Sequence, residues 1–165
     1  MPTSLPIPIK FRLPEGWLPA RPVDGDPGVA FAAVHPQPDA GFAANITIEG
    51  GFSPETRTLA ELAAESAERL CEIAGPVTVT DRREFGGADT PGLTQRLTFS
   101  AAVSDNAYRD LVQTQVYLSL VDVKDPRKRA VIRLALTVTA GQYDGVAGDF
   151  QEFLRSVRPG TGEAA

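Results

Sequence analysis

Chemistry needs reactive side chains in company, and this chain offers few. It holds one histidine and one cysteine in 165 residues. His35 stands in "VHPQP", a proline-rich stretch where a general base would lack the partners it needs. A solvated loop residue is the simpler reading. Cys71 falls beside Leu70 in an apolar-periodic run. That is the setting of a small buried hydrophobe, whereas a nucleophile wants a depressed pKa and a nearby histidine. No G-x-S-x-G elbow precedes a helix, and no serine stands in a triad context. Zinc wants several Cys and His ligands at close spacing, and two such residues are too few. Asp24 and Asp26 in "DGDPG" could approach calcium, but without the following glutamate they fall short of an EF-hand loop and read as turn-forming. The glycine pairs of "EGGF" and "FGGADTPG" lack the spacing of a P-loop or dinucleotide fingerprint, and "NIT" at 45 to 47 matches a glycosylation sequon inside a predicted strand. The sequence predicts no catalytic residue, no metal site and no cofactor.

One constellation remains. Gln113, Gln115, Tyr117 and Ser119 alternate along one face of a predicted strand, and Thr94, Arg96, Thr98 and Ser100 along one face of its neighbour. A sheet face rich in Gln, Thr and Arg can donate and accept hydrogen bonds to a bound segment. Gln113, Gln115, Tyr117 and Arg96 are therefore the candidate partner-binding residues, against the alternative of an ordinary solvated face. On an open face, Gln113→Ala with Gln115→Ala should leave the melting temperature nearly unchanged.

Those strands need elements to hold them. In "FRLPEGW" a strand-suited run meets Pro14 and Gly16, placed as the first central and last positions of a type I turn. There Trp17, the only tryptophan, is expected to fold back over the sheet and find a partner for its indole N–H. Residues 7–13 suit an edge strand because of Pro8. Residues 19–28 read as turn chemistry, and 29–34 and 42–50 as a hairpin with a longer loop. Thr58 opens a capping box with Glu61. Leu59, Leu62, Ala63, Ser66, Leu70 and Ile73 then recur at helical spacing until Gly75-Pro76 stops the run. Strands follow at 77–85, 93–103, 110–121 and 130–139, with Ile132, Leu134, Leu136 and Val138 inward on the last, the alternation of antiparallel strands with one buried face. A second helix spans 142–157, with the apolar stripe Tyr143, Val146, Ala147, Phe150, Phe153, Leu154 and Val157. The expectation is an α+β domain: an antiparallel β-sheet of about six or seven strands with two main α-helices packed on it. Residues 1–158 form a single domain and 159–165 a disordered tail.

Composition bounds the partners. An apolar fraction of 42% is that of a globular chain with a packed core. The net charge of −5 disfavours nucleic acid, which wants a basic stripe. The basic run "KDPRKR" at 124–129 reads as a solvated loop tip. No stretch approaches the roughly 20 apolar residues of a membrane helix, and the N-terminal stretch lacks a signal-peptide apolar run. A soluble cytoplasmic protein is expected.

The order of elements carries a resemblance. A strand leads into "LPEGW", short strands end in "NITI", a capped helix follows, and three long strands precede a helix closing in "FLRSVRP". In this order and spacing, over roughly residues 9 to 158, the chain resembles the PsbP-like fold group. It looks most like the bacterial branch with LpqN-type lipoproteins and Eag-type chaperones of type VI secretion effectors. The resemblance implies an antiparallel sheet with helices on it, and members that mostly bind proteins or ligands rather than catalyse. The lipid-attachment cysteine of the lipoprotein branch has no counterpart here. The expected function is thus a non-catalytic adaptor or chaperone-like module for a protein partner, such as a secretion effector. The competing expectation is a small-molecule carrier or hydrolase with a pocket near the 35–41 loop.

Overall fold

A computed structural model describes residues 9–20, 29–37, 42–53, 58–86, 91–104, 107–121 and 129–159. The chain runs β1 (Ile9–Lys10), β2 (Leu18–Ala20), β3 (Val29–Val34), β4 (Asn45–Ser53), α1 (Leu59–Ala74), β5 (Val77–Phe85), β6 (Gly92–Ser104), β7 (Ala107–Val121), β8 (Arg129–Thr139), α2 (Tyr143–Ser156) and β9 (Arg158–Pro159). Seven strands form one sheet in the order β2-β3-β4-β8-β7-β6-β5, and β1 pairs with β9 in a separate two-stranded ribbon. Every pairing among the described residues is antiparallel. The expected α+β architecture is the one found.

Alternation explains the two layers. Even-numbered side chains of β7 and β8 face α2, where Val116, Ile132, Leu134, Leu136 and Val138 join Ile46, Ile48, Phe150 and Phe153 in the main core. Odd-numbered side chains face α1, where Leu93, Tyr117 and Val131 meet Leu59 and Ala63. The helices therefore cover opposite faces. This differs from the single buried face expected of β8: Thr139 on its other side is 3% exposed.

The capping box of α1 forms as its sequence dictates. The Thr58 hydroxyl accepts from the Glu61 N–H at 3.0 Å, and a Glu61 carboxylate oxygen accepts from the Thr58 N–H at 2.9 Å. Gly75 ends the helix at φ 86°, a backbone angle that favours glycine. The stripe holds through Leu59, Ala63 and Ser66 but not to the end, because Ile73 is 84% exposed. Cys71 is exposed too, a correction: one residue beyond Leu70 is a 100° rotation, which carries it off the buried stripe.

Three further expectations shift. Of the strand expected at 7–13, residues 7 and 8 lie outside the described residues; within 9–13 only Ile9 and Lys10 form a strand, and it lies outside the main sheet. Pro19 and Ala20 belong to β2, not to a turn. The "LPEGW" turn sits one residue later than read. Trp17 N–H donates to the Pro14 carbonyl at 3.2 Å, which puts Gly16, at φ 90°, in the third position. A positive φ there belongs to type II. The calcium-like "DGDPG", residues 38–41 of the loop, most of the basic run at 124–128, and tail residues 160–165 lie outside the described residues.

Candidate functional site

The polar face of β7 is where the structure departs most from expectation, because α1 covers it. Gln115 is 1% exposed and Tyr117 4%, and Gln113 is half-buried. Register brings Gln115 opposite Gln95, not Arg96. Gln95 Nε2 donates to Gln115 Oε1 at 2.7 Å and to the Ala63 carbonyl of α1 at 3.0 Å. Tyr117 donates its hydroxyl proton to Gln115 Oε1 at 2.9 Å. Gln115 Nε2 donates to Ser66 Oγ at 3.1 Å and also to Gln113 Oε1, while Gln113 Nε2 donates to Thr137 Oγ1 at 2.9 Å.

The chain of bonds continues at both ends. Arg82 on β5 donates through Nε and Nη2 to Gln95 Oε1, at 2.9 and 2.8 Å. Arg133 on β8 donates to Ser66 Oγ at 2.7 Å and is ion-paired with Glu49 on β4. A polar belt thus runs under α1 from β5 to β4. Buried amides cost free energy unless paired, and here they are paired. Burial pushes the Tyr117 phenol above its ordinary 10.0, which keeps it a neutral donor. Gln95, Ser66 and Arg133 were not singled out as site residues. Their signal was present: Gln95 sits between Leu93 and Leu97 on an apolar face, and Ser66 stands within an apolar helical stripe.

Arg96 lies on the opposite face. It pairs in register with Thr114, and its guanidinium stacks 4.9 Å over the Tyr143 ring of α2. The four candidates therefore divide: three in the belt under α1, one beside α2. On the α2 side, two adjoining cavities open toward β5. One, about 180 Å³, is lined by residues including Arg83, Arg96, Thr114, Tyr143 and Gln151. The other, about 380 Å³, is lined by Phe85, Val116, Leu118, Leu134 and Leu154 with Thr94 and Arg155.

Trp17 answers the question its turn raises. It is 5% exposed, its indole N–H donates to Asp149 Oδ2 of α2 at 3.0 Å, and its ring meets His35 edge-on at 5.3 Å. Nδ1 of His35 accepts from the Gln37 N–H at 3.1 Å. These contacts tie the described part of the 35–41 loop to the core. Among the described residues, no three His, Cys, Asp or Glu side chains converge on a metal position. No helix among them is long and apolar enough to cross a membrane.

No protein-family profile matches the sequence, and no curated protein does. Solved structures do match. LpqN of Mycobacterium tuberculosis, described as involved in cell envelope biogenesis, superposes with a TM-score of 0.63 at 13% identity, over 93% of this chain and 86% of that one. Cyanobacterial PsbP from Synechocystis sp. PCC 6803 gives 0.58 at 16% identity, over 92% and 86%. This chain has the PsbP-like fold. The Saccharomyces cerevisiae Ran-binding protein Mog1p shares it, with a TM-score of 0.57 at 17% identity over 92% of this chain and 89% of that one. At these identities the likeness is one of fold.

Proposed function

We propose that this PsbP-like domain is a non-catalytic binding module that takes a protein partner by strand addition along β5. One observation carries the reading. β5 is a nine-residue edge strand that pairs, among the described residues, only with β6. Its side chains are exposed apart from half-buried Val77 and Asp81, and Val79 and Phe85 offer apolar surface to an incoming strand. Such edges template pairing with another chain. The opposite edge, β2, is three residues long and contains Pro19, which lacks an N–H to donate. The bulge between Val79 and Asp81 and the charges Asp81, Arg82, Arg83 and Glu84 discourage indiscriminate pairing, so the partner strand must suit both.

The belt then acts from behind the edge: Gln113, Gln115 and Tyr117, through Gln95 and Arg82, hold β5–β7 in register, and Arg96 lines the adjoining cavity. That Mog1p is a Ran-binding protein supports partner binding as a use of this fold. The finer form of the proposal is a cytoplasmic chaperone-like module whose client, such as a secretion effector, carries a hydrophobic or amphipathic segment. A photo-cross-linking residue at position 79, with position 18 on β2 as control, tests the surface. Partner cross-links from 79 and none from 18 are expected. A partner recovered with cross-links only from 18 would overturn the assignment to β5.

A further inference from the structure

We infer that the α2 side of the sheet holds a second site, one that takes a monocarboxylate with an apolar chain: Arg96 and Thr114 receive the head, and Phe85, Leu118, Leu134 and Leu154 the chain. Arg96 Nε and Thr114 Oγ1 are buried, and neither finds a hydrogen-bond partner among the described residues. Both residues line the 180 Å³ cavity. Buried polar groups in folded proteins are almost always paired, so two orphans opposite each other on neighbouring strands point to an absent acceptor. Arginine can only donate, whereas a hydroxyl donates or accepts. A carboxylate, with two acceptor oxygens, satisfies both. The stacking on Tyr143 fixes the guanidinium without engaging Nε.

Charge selects a single negative group. Arg83, the other cation lining this cavity, is paired with Asp81 at 3.1 Å. Among the described residues, Arg96 is the cation lining this cavity that has no ion-pair partner, which suits a monoanion better than a phosphate dianion. The adjoining chamber then sets the rest of the ligand. It shares Thr94, Val116 and Leu154 with the first cavity, and its 380 Å³ are walled mainly by apolar side chains, at the small end of ligand-pocket volumes. Its outer wall is made on purpose by glycine: a Cβ at Gly92 would stand 2.4 Å from the Phe85 ring, so only glycine lets that ring lie across β6 and close the chamber. A head pocket with, among the described residues, one unpaired cation, joined to an apolar chamber, describes a medium-chain alkyl acid.

The site adjoins the β5 edge, sharing Phe85 with it, yet it can be tested without any protein partner. Calorimetric titration of the full chain with decanoate, 1-decanol, decylamine and acetate, below micelle-forming concentrations, is the experiment. Decanoate should bind at one site, 1-decanol about ten-fold or more weaker for loss of the charged hydrogen bonds, and decylamine and acetate without saturation. Arg96→Gln and, independently, the near-isosteric Thr114→Val should reduce the decanoate preference while leaving 1-decanol affinity unchanged. Equal affinity for decanoate and 1-decanol, no decanoate binding, or a preference intact in Thr114→Val and a folded Arg96→Gln would each overturn the inference.

Discussion

Trp17 shows how one residue can be read correctly for its fate and not for its geometry. An aromatic after a Pro-Glu-Gly turn signals a ring folded back on the core, and the ring is buried with its N–H on Asp149. The turn position was misjudged because Pro14 suits more than one place, and only the φ of Gly16 decides. Trp17→Ala should cost about 3 to 5 kcal/mol in chemical denaturation. Trp17→Phe, which keeps most of the ring but forfeits the Asp149 bond, should cost much less. Gln115 is the contrary case. Its alternation with Gln113 and Tyr117 was legible, but which layer lies over that face depends on where α1 docks, and alternation alone does not encode it. The earlier expectation of a neutral double alanine change therefore reverses. Gln115→Ala strips Tyr117 and Gln95 of a shared acceptor and should cost about 1 to 3 kcal/mol. Tyr117 adds a pH signature. Its raised folded pKa means the native chain keeps a proton that the unfolded chain releases above pH 10.0, so stability falls as pH climbs beyond that value. Tyr117→Phe should flatten that alkaline decline, read from denaturation midpoints between neutral and alkaline pH.

At the scale of elements, local chemistry was legible wherever it acts within a few residues. The Thr58–Glu61 box and Gly75 fixed both ends of α1 to within a residue, and Thr58→Ala should lower stability by about 0.5 to 2 kcal/mol in thermal or urea melts. The long strands β5 to β8 were visible from alternation and β-branched content. Less visible were pieces defined by partners far along the chain. β2 exists because Leu18–Ala20 aligns with Ala32–Val34, which no turn-rich composition reveals. β1 exists because Ile9 and Lys10 meet Pro159 and Arg158. Ser156 Oγ strengthens that clasp, accepting from the Arg12 N–H at 2.8 Å while its own proton has the Phe153 carbonyl at 2.7 Å and the Arg12 carbonyl at 3.2 Å as acceptors. Phe11 lies edge-on to both Phe31 and Phe153. The "FLRSVRP" close is one of the features that carry the resemblance. Physically, it is a helix end whose Phe153 fills the core and whose Ser156 holds the N-terminal segment.

Across the whole molecule, the strand order places β8 at the centre of the sheet and β2 and β5 at its edges. The central pairing of β4 with β8 joins residues 45–53 to 129–137, so the core forms only when distant parts of the chain meet. β8 is walled on both faces, its side chains buried but for half-buried Arg129, Arg133 and Thr137, while most of β5 is exposed. Opening free energies should follow that gradient, since local fluctuations concentrate where few buried contacts restrain the backbone. In hydrogen exchange, β8 and its neighbours β4 and β7 should be the slowest strands and β5 the fastest of the long ones. A partner that adds a strand to β5 must engage backbone N–H groups that otherwise face solvent, so protection should rise along residues 77–85 and change little in β2. Partner binding that protected β2 or the α1 surface and left β5 exchanging as before would place the interface elsewhere. The fold would stand, and β5 would be no more than a charged, guarded edge.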